Sequence, residues 1–187
     1  MATTLAFRFR RARLHMCALL LAGAGQFAFA ADPASPDNAF LDGLRGDWDM
    51  AGMVRGKPVR YRAQGERVLQ DGFVRLHMID VELPPKYEAD VFLGFDAQAG
   101  DYVAHWLDRF GAAGARVVAT GKRDGRRLVI NYPYTEGVFR DTFDFDAKSG
   151  KWTLVLERWG EDKAWSTFAR YTLVRPDADH APAQDGR

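Results

Sequence analysis

The chain has 187 residues, 26 of them basic and 25 acidic, with a single cysteine and 13% aromatic residues. Phosphate contacts need a clustered surplus of Lys and Arg, so this balance argues against a nucleic-acid partner. One cysteine leaves no internal disulfide, and a domain of this length must be held by burial, which its many aromatics can supply.

Residues 1–30 read as a cleavable export signal. Arg8, Arg10, Arg11 and Arg13 precede an apolar run from Leu14 to Ala24, and Ala28-Phe29-Ala30 supplies the small-x-small pattern for a cut after Ala30. The run is too short to span a membrane and Cys17 lies inside it, so neither a stable membrane anchor nor a lipidated terminus is expected. Arg10-Arg11 leaves both the general and the twin-arginine export routes open. A periplasmic or secreted location follows. Loss of the four arginines leaves 22 basic against 25 acidic residues.

Residues 31–38 hold two prolines and read as a linker, while residues 176–187 read as a disordered tail, which places the domain at 39–175. Ala39 to Leu44 is predicted as a short helical turn with Asn38 as its N-cap. Beyond Gly46, short runs of Val, Phe, Tyr, Trp and Thr recur between turn signals: 55–58, 70–72, 83–85, 98–100, 111–114, 123–125, Tyr132-Pro133, 148–150 and 160–162. Nine turns imply about ten antiparallel strands. Alternation supports this, since Val59, Tyr61 and Ala63, then Leu128, Ile130 and Tyr132, then Phe139, Phe143 and Phe145, then Trp152, Leu154 and Leu156 each share one parity. No helix is long enough to cover a sheet face. An all-β, antiparallel up-and-down barrel is therefore expected, with a two-sheet sandwich as the alternative.

Leu44-x-Gly46-x-Trp48 at the first strand, Gly94-Phe95-Asp96, Tyr102-x-x-x-Trp106-x-Asp108, Trp152 and Tyr171 together resemble a group of uncharacterised bacterial lipocalin-like proteins of the calycin superfamily. The resemblance covers nearly the whole domain and implies a barrel enclosing a small apolar or amphipathic ligand. It also implies that Trp48 is either a core plug, covered by Arg170 or Arg175, or a ligand contact. Fatty-acid-binding barrels hold the carboxylate with Arg-x-Tyr on the last strand. Here Arg170-Tyr171 lacks the spacer, which puts the two side chains on opposite faces. Haem barrels of the nitrobindin type supply a late-strand histidine, and residues 163–175 contain none.

The residues that could carry chemistry are few. His77 and His105 lack the spacing of metal ligands, and there is no Gly-x-Ser-x-Gly element, P-loop or dinucleotide fingerprint, so no cofactor is expected. Asp141, Asp144 and Asp146 cluster, but Asp144 and Asp146 lie opposite Phe143 and Phe145, as on a solvated face. Arg75, Arg140 and Arg158 sit within strands, and one pointing inward would need an anionic partner such as a ligand head group. The candidate binding set is Trp48, Tyr61, Arg75, Tyr102, Trp106, Tyr132, Arg140, Phe143 and Tyr171, with Arg75 and Arg140 as anchors. The expected function is an exported binding protein. The alternatives are a cofactor-free isomerase or hydrolase using His105 and Asp108, or a haem-binding barrel.

Overall fold

The computed structural model describes residues 35–177; the residues read as an export signal, the start of the expected linker and most of the expected tail lie outside them. Ten antiparallel strands close into one barrel in which each strand pairs with its sequence neighbours and the first pairs with the last. They are β1 (Gly46–Val54), β2 (Lys57–Val68), β3 (Phe73–Asp80), β4 (Glu88–Asp96), β5 (Asp101–Asp108), β6 (Val118–Asp124), β7 (Arg127–Tyr134), β8 (Gly137–Asp146), β9 (Lys151–Trp159) and β10 (Trp165–Val174). A sandwich would leave edge strands open to further pairing, and closure removes them.

The alternation read from the sequence is the inside–outside alternation of the barrel. Val74, Leu76, Val91, Leu93, Leu128, Phe143, Leu154 and Leu173 are buried inward residues that fill one half of the interior. Charged and polar neighbours of opposite parity cover the outside, as with Arg60, Arg62 and Gln64 on β2. Tyr132-Pro133, expected as a turn, instead lies inside β7, and the chain reverses at Thr135-Glu136. Pro133 is tolerated because it is exposed and next to the end of its strand, where a missing N–H costs little.

A seven-residue helix, α1 (Pro36–Asp42), plugs the filled end. It starts three residues before the expected position because Ser35, not Asn38, is the N-cap: the Asn38 amide donates to Ser35 Oγ at 3.1 Å, and Pro36 suits the first turn. Asn38 is instead buried within the helix. Phe40 packs edge-on against Trp152 with ring centroids 5.1 Å apart, and Trp152 Nε1 donates to the Gly43 carbonyl. Arg67 Nε donates to Asp42 Oδ1 at 2.8 Å and its Nη2 to the Asn38 carbonyl at 2.9 Å. Where the chain leaves the helix it crosses Gly65 so closely that a Cβ there would lie 2.0 Å from the Leu44 carbonyl oxygen. Only glycine permits that approach.

Candidate functional site

At the end opposite α1 the barrel is hollow. A cavity of about 1050 Å³ opens between the turns, lined at depth by Tyr61, Tyr87, Trp106, Tyr132, Tyr171 and Asp141. Phe139 and Phe168 pack edge-on at 5.5 Å on one side of it, while Phe110 stands at the rim 76% exposed. Phe168 reaches the interior because the register of β10 against β9 shifts between Thr167 and Ala169, a bulge that turns two consecutive residues inward. The walls are overwhelmingly apolar and aromatic, as ligand cavities are.

The polar groups within are few. Trp106 Nε1 donates to the Tyr87 hydroxyl at 3.1 Å, and that hydroxyl lies 3.4 Å from Asp108 Oδ2. Burial raises the pKa of Tyr87 and Tyr171 and pushes Tyr134 up to about 12, so these phenols stay neutral. Asp141 of β8 is 2% exposed, between Ile130 of β7 and Leu156 of β9. Burial pushes its carboxyl up to about 8, an effect that the neighbouring Tyr132 hydroxyl only partly offsets. At neutral pH it is mostly protonated. Tyr132 is itself 1% exposed, and although its hydroxyl lies beside the carboxyl it makes no well-aligned hydrogen bond within the protein. Sequence reasoning missed Asp141 as an interior group. The signal was there, because Asp141 shares parity with Phe139, Phe143 and Phe145, whereas Asp144 and Asp146 do not.

Of the nine candidate binding residues, Tyr61, Trp106, Tyr132 and Tyr171 line the cavity. The other five lie elsewhere. Trp48 is a plug at the filled end, its Nε1 donating to the Leu44 carbonyl at 2.7 Å and its ring covered by the Arg175 guanidinium at 3.5 Å. Tyr102 is tied to α1, its hydroxyl donating to Asp37 Oδ1 at 2.7 Å with Arg123 Nε on the same carboxylate at 2.9 Å. Phe143 is core packing outside the cavity. The two expected anchors are on the outer face: Arg75 pairs with Glu66 and Asp90, and Arg140 donates to Glu157 at 2.7 Å while lying 4.0 Å over the Trp165 ring. Their parity is opposite to that of Leu76 and Phe139, so the pleat directs them to solvent. Arg158 is exposed and donates to the Glu136 carbonyl.

His105 and Asp108 do not form a pair. Three residues apart on β5, they take opposite parities: Asp108 lines the mouth, while His105 Nε2 sits 2.7 Å from the Ala115 carbonyl. His77 lies outside against Asp90, with Nδ1 and Oδ1 3.0 Å apart. No histidine among the described residues lines the cavity, so the haem ligation weighed from sequence has no histidine in place.

No protein-family model matches the chain, and no curated protein does. Among solved structures it is similar to Rv2717c from M. tuberculosis, at 13% identity and a TM-score of 0.51, over 76% of this chain and 99% of that one. At this identity the likeness is one of fold alone. It is a barrel compatible with ligand binding.

Proposed function

We propose that this protein is an exported, lipocalin-like carrier or receptor that holds a small apolar or amphipathic molecule in the open half of its barrel. The observation that carries the reading is the cavity of about 1050 Å³, open at the end of the barrel away from α1 and walled by aromatic rings. Sites for small ligands fall in or near this size and combine apolar walls with a few polar groups, as here. The interior division also supports it, since a barrel serving only as a scaffold gains stability by filling both halves. Export to the periplasm is supported by the arginine-led apolar run and the Ala-Phe-Ala cleavage pattern of residues 1–30.

The test is native mass spectrometry, with an absorbance spectrum, on mature protein purified from a bacterial periplasm without detergent. The expected result is an additional non-covalent mass that organic solvent removes, after which the protein takes up an anilinonaphthalene probe. An apo mass together with no uptake of the probe would overturn the reading.

A further inference from the structure

Resting on the binding reading above, we infer that the cavity selects an organic cation, an amphiphile whose protonated amine sits against Asp141 inside a cage of tyrosine rings. Among the described residues no basic side chain pairs with Asp141; the polar groups around it are tyrosine hydroxyls, and that of Tyr132, which lies beside it, makes no well-aligned hydrogen bond. Buried carboxyls are ordinarily paired. This one is left with a face on a cavity large enough to deliver the partner.

The remaining charges favour the same choice. The basic residues at the cavity, Arg55, Lys57 and Lys86, are exposed at its rim, and Arg75 and Arg140 are outside the barrel. An anionic head group would reach the depth of the cavity without a cation and would meet an acid there. The rings add to this. Tyr61 lies 5.6 Å from Tyr87 and 5.9 Å from Tyr171 between centroids, and Tyr132 stacks on Tyr134 at 5.8 Å. Their faces carry the negative end of the ring quadrupole and attract a desolvated ammonium.

Proton balance gives the site a signature. The amine enters as ammonium, the Asp141 carboxyl gives up its proton to solvent, and an ion pair remains. The groups that face Asp141 are Tyr132 and Tyr134 of β7 and Tyr171 of β10, all held neutral by burial, while Leu156 of β9 is uncharged. Asp108 across the mouth acts on Tyr134. Affinity for an amine therefore rises from acid pH toward the range where Asp141 ionises in the empty protein.

The test titrates the mature protein with decylamine, decanol and decanoate, which share one apolar tail, in two buffers of different ionisation enthalpy near pH 6. Decylamine is expected to bind about tenfold or more tightly than decanol, with decanoate weakest and about one proton released per amine bound. In Asp141→Asn the amine preference and the proton release disappear while decanol still binds. The proton count is read on the natural chain and does not depend on that variant. If decylamine and decanol bind alike, if decanoate binds tightest, or if no proton is released, the charge selection is overturned while the binding reading stands. If none of the three binds, the binding reading falls with it.

Discussion

Replacing Asp141 by Asn should make the protein more stable, and by an amount that grows with pH. The carboxyl is buried and is raised from its ordinary value of 3.8 to about 8. Between those two values the folded chain holds a proton that the unfolded chain has released, so the folded state binds more protons and stability falls as pH rises. Below the lower value both states are protonated and the penalty vanishes; above the upper value both are ionised and it is constant. At about 1.36 kcal/mol per pKa unit, the full penalty is up to about 5 kcal/mol by pH 8. Asn is close in shape and never ionises. The free energy of unfolding, from urea titrations of ligand-free protein followed by tryptophan fluorescence, should thus be nearly equal for the two proteins around pH 4. The variant should gain steadily up to about pH 8 and keep its advantage above it. A difference that is flat across this range, or that grows toward acid, would refute the placement of Asp141 in a buried site without a basic partner.

Two further outcomes follow from the outer face and the filled end. Arg75→Ala and Arg140→Ala, the natural choices if either arginine gripped a ligand, should leave the retained mass in native spectra unchanged; the cost should be no more than about 1 kcal/mol for Arg75, a surface ion pair, and about 1–2 kcal/mol for Arg140, which also gives up its place over the Trp165 ring. Arg175→Ala should lower the unfolding free energy by about 0.5–1 kcal/mol through loss of the exposed cation over the Trp48 ring, with uptake of the anilinonaphthalene probe preserved, since that contact is at the end away from the cavity.

Much of this was legible along the chain because strand alternation is local. The apolar parity of β2, β7, β8 and β9 is written in consecutive residues, and a period of two leaves only one face to bury. The same parity, applied without prejudice about residue type, already placed Asp141 with Phe139 and Phe143 and put Arg75 and Arg140 outside. Expecting an acid to be solvated and an arginine to be the anchor obscured it. The helix start was also local, set by Ser35 and Pro36 one turn earlier than Asn38 suggested.

Where the barrel is filled and where it is hollow could not be read this way. Tyr102 and Tyr132 look alike in sequence, as inward tyrosines on their strands, yet one is tied to Asp37 of α1 and the other faces the cavity. The difference comes from where α1 docks, joining Asp37, Asp42 and Phe40 to residues 25 to over 100 positions away. Local chemistry determined the strands, their faces and the turns. Closure of the barrel and the seating of one short helix decided which end is packed and which is empty, because volume inside a barrel depends on side chains from all ten strands at once.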